Sequence, residues 1–243
     1  MDAVSFDVRR GTILGVLGPN GSGKTTLLRL MAGTLAPLAG RMLLDGRDVG
    51  RFSRRDLARK VAVVPQETHS TFDFTAIDIV LMGRYPHLGP FELEGARDLT
   101  IAQEALAAVG MADLSDRLFG TLSGGEKQRV VIASALAQTS DALLLDEPTA
   151  SLDLGYQIEI AALLTRLNRE RGTTMVISTH DLNLAAALCS EIVLVRGGRV
   201  LAHGLTGDVL TAAHVRALYG VDADVQFHPR AGHVTVVPIA RAI

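Results

Sequence analysis

Gly18-Pro19-Asn20-Gly21-Ser22-Gly23-Lys24-Thr25-Thr26 fits the pattern G-x-x-x-x-G-K-[ST], a loop whose glycines let backbone N–H groups close around phosphate oxygens. The flanks agree with that reading. Thr12-Ile13-Leu14-Gly15-Val16-Leu17 is the short apolar run of a buried strand, and Leu27, Leu28, Leu30 and Met31 suit a helix packed on a sheet. The helix N-terminus carries partial positive charge that favours an anion, Lys24 is placed to reach the β and γ phosphates, and the Thr25 hydroxyl to bind Mg²⁺.

The chain has 243 residues, 48% of them hydrophobic, enough for a substantial core. Its formal net charge is −2 and no long basic run occurs, so the electrostatic footprint of a nucleic-acid binder is missing. The single cysteine, Cys189, excludes an internal disulfide, fits a reducing compartment, and falls in an apolar helical pattern as a buried structural thiol. Met1-Asp2-Ala3-Val4 lacks the charged and apolar regions of a signal peptide, and no apolar run approaches the roughly 20 residues needed to cross a bilayer. The expected location is cytoplasmic.

Upstream of the loop, Val4 to Val8 alternates as a strand would. Downstream, Arg41 to Asp45 reads as a strand entering an Asp45-Gly46 turn, Ser53 to Asp56 as a helix start, and Val61 to Val64 as a buried strand ending at Pro65-Gln66. From Glu67 to Leu122 helix signals dominate: a capping pattern at Thr75 to Asp78, a stop near Gly83, a Pro/Gly-punctuated loop from Arg84 to Phe91, and a helix from Ala96 to Val109. Strands then alternate with helices: Ala142 to Leu145, Leu154 to Arg169, Thr173 to Ser178, Asp181 to Cys189 and Ile192 to Val195. A strand at Arg199 to His203, one short helix from Asp208 to Tyr219 and two strand-like pieces between Val225 and Ile239 complete the chain. The pattern is α/β, a mainly parallel sheet covered by helices.

Asp146 and Glu147 follow an apolar strand, where open α/β sheets place their ligand groups. Asp146 suits a carboxylate that holds Mg²⁺ through water, and Glu147 a general base that polarises an attacking water. Ser123-Gly124-Gly125 opens another helix and forms a second anion-ready N-terminus, which one phosphate group does not need.

Leu122-Ser123-Gly124-Gly125-Glu126 resembles the signature of ATP-binding-cassette (ABC) ATPases. It stands in that family's order: the phosphate loop, Gln66, the signature, Asp146 with Glu147, Ser151-Leu152-Asp153, then His180. The resemblance implies a P-loop NTPase fold of ABC type with a small antiparallel β part and an inserted helical subdomain. The expected division of the single domain 1–243 is residues 1–66 and 123–220 as the core, 67–122 as the helical subdomain and 221–243 as a C-terminal β extension. It further implies a head-to-tail homodimer in which Gly18 to Thr26 of one copy and Ser123, Gly124, Gly125 and Glu126 of the other enclose each ATP. On the same resemblance Gln66 contacts Mg²⁺ or the attacking water, His180 contacts the γ-phosphate, and Asp153 contacts the partner subunit.

ABC ATPases usually open with an earlier strand and an aromatic residue stacked on adenine. This chain begins later, and Phe6 belongs to the strand pattern instead. Met82-Gly83-Arg84-Tyr85-Pro86-His87, Val64-Pro65-Gln66-Glu67 and Ala217-Leu218-Tyr219-Gly220-Val221 look like ATPase subunits of importers for iron-siderophore, haem and cobalamin. That similarity implies a separate membrane permease as partner, a substrate-binding protein acting indirectly, and no nucleic acid. The permease's coupling helices would sit in the groove between the helical subdomain and the Gln66 region, with Tyr85, Pro86 and Phe91 near it. A transporter ATPase of another class or a regulatory ATP-binding module is the alternative. His69, His87, His203, His214, His228 and His233 match no family motif; His228 and His233 flank a turn with too few ligands around them for a metal.

Overall fold

The computed structural model describes residues 1–66 and 73–242. In chain order the elements are β1 (Ile13–Leu17), α1 (Lys24–Met31), β2 (Leu43–Leu44), β3 (Arg47–Asp48), α2 (Arg54–Ala58), β4 (Val61–Val64), α3 (Ala76–Leu81), α4 (Ala96–Ala108), α5 (Gly124–Ala137), β5 (Ala142–Asp146), α6 (Leu154–Arg171), β6 (Thr174–Thr179), α7 (Leu182–Leu188), β7 (Glu191–Arg196), β8 (Arg199–Leu205), α8 (Thr206–Val209), α9 (Ala212–Tyr219), β9 (Val221–His228) and β10 (His233–Arg241). The chain divides into two compact units, Met1–Leu30 with Leu164–Ile243, and Met31–Leu163. No helix among the described residues is long and apolar enough to cross a membrane.

In the first unit the strand order is β6-β1-β7-β8. β1 pairs in parallel with β6 and with β7, and β7 pairs antiparallel with β8. All five residues of β1 are buried, as expected of a parallel strand covered on both faces. Each fully buried Leu or Val there contributes about 1.5–3 kcal/mol, so the strand that feeds the phosphate loop is firmly anchored. The hairpin β9–β10 closes this unit and is held by Asn183, which donates to Val236 O at 3.1 Å and accepts from Val236 N at 2.8 Å.

In the second unit β4 pairs in parallel with β5, Val64 opposite Leu145. α3, α4 and α5 pack on one another around buried Ile79, Val80, Ala102, Leu106, Val130 and Ile132. The helix starts read from the sequence carry side-chain caps: Ser53 accepts from Asp56 N, Thr75 forms a capping box with Asp78, and Ser123 forms one with Glu126.

Four expectations are corrected. Residues 4–8 form no strand, although Val4, Phe6 and Val8 are half-buried and Ser5 and Asp7 exposed. Their alternation marks the inward side, while no strand among the described residues pairs with them. The helix expected from Asp208 to Tyr219 is two, α8 and α9, because Leu210 leaves the helical region and the Thr211 side chain caps a fresh start. The strand expected from Arg41 to Asp45 shrinks to Leu43–Leu44 before the turn. The expected loop after Gly83 begins as a 3₁₀ helix, Met82–His87, which accommodates Pro86. Glu67 and His69, and the start of the expected helical subdomain, lie outside the described residues.

Candidate functional site

The phosphate-loop residues lie in the first unit, one residue beyond the carboxyl end of β1. Leu17 is opposite Thr179 of β6, so Gly18 and His180 leave the carboxyl ends of adjacent parallel strands at the same level. That is where open α/β sheets place ligands. His180 is exposed, and its carbonyl accepts from Tyr219 Oη at 3.2 Å.

Each part of the loop has a mechanical reason. Gly21 and Gly23 have φ of 77° and 108°, which disfavour any side chain. Gly18 is in an ordinary backbone region, but a Cβ there would meet Val195 O and lie 2.6 Å from Ser22 Oγ. Ser22 N donates to Pro19 O at 3.1 Å, and Gly198 N donates to Ser22 O at 2.9 Å, which ties the loop to the β7–β8 turn. Lys24 is buried, with Nζ donating to Gly18 O at 2.9 Å and Pro19 O at 3.4 Å. Its charge is thereby folded back over the loop.

Ser22 Oγ is buried without a hydrogen-bond partner among the described residues. An orphaned buried hydroxyl costs about 1–3 kcal/mol. A phosphate oxygen in the loop fits that hydroxyl, the Lys24 cation and the N-terminus of α1 together.

The remaining candidates lie in the second unit. β4 ends two residues before exposed Gln66, and β5 ends at buried Asp146, so both residues and Glu147 collect at the carboxyl ends of one parallel pair. Glu147 has φ +47° and Ser151 +63°. Left-handed backbone at two non-glycine residues concentrates strain in this turn. Asp153 caps α6: Oδ1 accepts from Tyr156 N at 3.0 Å, while its carbonyl accepts from Gln157 N at 2.9 Å.

The signature segment opens α5. Leu122 is buried, and Ser123 and Gly124 are exposed. Ser123 N donates to Glu126 Oε2 at 2.7 Å, and Glu126 N to Ser123 Oγ at 3.3 Å. The Ser123 backbone N–H, then its hydroxyl, hold the Glu126 carboxyl below its ordinary value of 4.5. Gly125 is there for space, since a Cβ would enter the ring of Tyr156 on α6. Cys189, which caps the C-terminus of α7, is buried and its thiol is pushed up to about 12 by desolvation, consistent with an inert packing residue.

Sequence reasoning passed over two features here. Ser22 was read as one of several loop residues, and nothing in sequence distinguishes a hydroxyl that stays unpartnered. The second is Arg84, which is 5% exposed. Periodicity places charged residues outside, and the only signal for it is the glycine before it, which lets the backbone approach α5.

A family model described as ABC transporter matches residues 1–150. The chain is 42% identical over 239 residues to the cobalamin import ATP-binding protein BtuD of Halobacterium salinarum, a match that covers 98% of this chain and spans 60% of that relative's length. It is 42% identical over 249 residues to the hemin import ATP-binding protein HmuV of Gloeobacter violaceus, covering 100% of this chain and 90% of the relative. Among solved structures, a metal-chelate type ABC transporter in an inward-facing conformation matches with TM-score 0.87 and 32% identity, over 98% of this chain and 93% of that one. A bacterial ABC transporter cassette solved as a dimer matches with TM-score 0.72 and 28% identity, over 83% of this chain and 88% of that one. With the phosphate loop and the capped signature helix both in place, the chain belongs to the ABC transporter family.

Proposed function

We propose that the chain is the ATP-hydrolysing subunit of an importer for iron-siderophore, haem or cobalamin, working as a head-to-tail homodimer on a separate membrane permease. The observation that carries the reading is the phosphate loop, where a buried hydroxyl without a partner among the described residues and a buried lysine lie at a helix N-terminus. The cargo range is supported by the relatives named for hemin and cobalamin import. The dimer is supported by the dimeric cassette and by the second anion-facing helix start at Ser123. On this reading the subunit is peripheral to the cytoplasmic face of the inner membrane, held there by the permease. Residues 67–122 act as the helical subdomain that meets the permease, and 221–243 as a C-terminal extension.

The substrate is Mg²⁺-ATP. Gly18 to Thr26 bind the phosphates, with Lys24 neutralising charge on the β and γ groups. Thr25, Gln66 and Asp146 are the residues that would hold Mg²⁺, which would neutralise phosphate charge there. Glu147 accepts the proton of the water that attacks the γ-phosphate, and His180 orients that phosphate. Ser123, Gly124 and Gly125 of the partner copy spread the developing charge from the helix start that Glu126 caps, and Asp153 lies against that copy. ATP binding closes the dimer and hydrolysis reopens it, which moves the permease between two access states.

The test is phosphate release by the purified subunit. Glu147→Gln is expected to lower turnover by about 10²- to 10⁴-fold while ATP binding persists. Unchanged turnover would refute the assignment.

A further inference from the structure

Unit two contains a junction outside the phosphate loop, the signature and the carboxylate pair. α5 runs from the signature to Ala137, and its last carbonyls need partners that the helix cannot supply. They are found on the 3₁₀ helix Met82–His87. Arg84 Nη1 donates to Ala137 O at 2.7 Å and to Thr139 Oγ1 at 3.2 Å, and His87 Nε2 lies 2.8 Å from Gln138 O. The His87 tautomer that donates from Nε2 is therefore the one that fits.

The surroundings show that this contact is built. Arg84 is 5% exposed, and its Nε donates to Asp98 Oδ1 at 2.9 Å. A Cβ on Gly83 would run into Ser134 O, so the approach to α5 requires glycine. Thr139 has φ +50° at the position after the helix where glycine is usual, and its hydroxyl is held between Arg84 and His87. A β-branched residue persists there because its surroundings fix it.

The same junction reaches β4. Gln138 Nε2 donates to Ala58 O and to Val61 O, the latter at 3.0 Å. Arg55 Nε and Arg59 Nε both donate to Pro86 O, at 3.0 and 2.8 Å. Two stiff elements therefore start from one junction. β4 ends at Val64, two residues before Gln66, and α5 starts after its cap Ser123, about 21 Å from the junction given 1.5 Å per residue over its length.

We propose that Arg84 and His87 are positioning residues that set the axial placement of the signature helix, and with it Ser123-Gly124-Gly125, relative to β4 and Gln66. Cations at a helix C-terminus also stabilise it, yet a stability role alone does not require two donors, a glycine approach and a strained threonine at one place. The inference rests on the reading of the chain as an ATPase. It adds that displacement of the Met82–His87 segment is felt at the far end of α5.

The test compares Arg84→Met, His87→Ala, His87→Gln and Asp98→Asn in Mg²⁺-ATP turnover and thermal melting of the purified subunit. Asp98 holds Arg84 and caps the start of α4 through Gly95 N, so Asp98→Asn reports the structural share. Arg84→Met and His87→Ala are expected to lower kcat at least about tenfold, with KM for ATP moving less than about threefold, because ground-state ATP binding rests on the phosphate loop. His87→Gln, which keeps an N–H donor, should recover most of kcat. Loss of kcat in simple proportion to melting temperature across all four variants would overturn the proposal, as would failure of His87→Gln to rescue a folded His87→Ala defect. If the unaltered protein shows no turnover dependent on Glu147, the ATPase reading fails first, and the two failures are distinguishable.

Discussion

At the N-terminus of α1 the chain enters the helix from Gly23, which has no side chain to offer, and the adjacent Ser22 hydroxyl has no partner among the described residues. At the N-terminus of α5 the Ser123 hydroxyl and the Glu126 carboxylate satisfy one another's backbone N–H groups in a complete capping box. Both are helix starts of the kind that attracts anions, but α5 carries an anion of its own in Glu126, whereas on the proposed reading α1 takes one from the nucleotide. The difference divides the labour. On the proposed reading, affinity for nucleotide belongs to the loop before α1, while α5 presents a capped surface that gains from a phosphate only when one is brought to it.

The comparison is broken most severely at Lys24. Lys24→Ala removes the buried cation of the open site, and ATP affinity measured by calorimetry should fall at least about 100-fold, the loss of charge-assisted hydrogen bonds worth roughly 3 kcal/mol. Retention of tight binding would show that α1's N-terminus and the glycines suffice.

The smallest effect concerns the carboxylate that closes the other site. Glu126 has its folded value depressed below 4.5 by the Ser123 backbone N–H and hydroxyl. The stability it contributes is therefore fully present above its unfolded value and is lost as pH falls through the depressed folded value. Glu126→Gln should melt slightly below the unaltered protein at pH 7, and melting curves taken down to acid pH should show the gap narrowing below about pH 4.5. A gap that does not change with pH would mean that the charge plays no part in the cap.

The features most legible in the sequence were those that local chemistry decides. Ser53, Thr75 and Ser123 each cap the helix assigned to them, and the apolar runs before Gly18 and Asp146 are buried parallel strands. The strand expected at Val4 to Val8 shows the limit of such reading. Alternation identified Val4, Phe6 and Val8 as the sheltered side, and Phe6 packs edge-on against the His203 ring at 5.8 Å, but alternation carries no information on whether a strand lies alongside. Arg84 shows another limit, because a cation that donates to a helix-end carbonyl 53 residues away leaves no local pattern. Residue types and their order put forward the phosphate loop, Gln66, the signature and the carboxylates as candidates. The Ser22 hydroxyl, without a partner among the described residues, and the left-handed backbone at Glu147 have no counterpart in the sequence pattern.

The central claim is that the open loop of one copy works with the finished helix start of another, and mixing two inactive variants tests it most directly. Lys24→Ala disables the first feature and Ser123→Arg the second. In a head-to-tail dimer, a mixed pair retains one site with an intact loop and an intact signature. An equimolar mixture is expected to regain about a quarter of the unaltered phosphate-release rate, since half of the dimers are mixed and each has one of two sites. A mixture as inactive as its components would contradict the account.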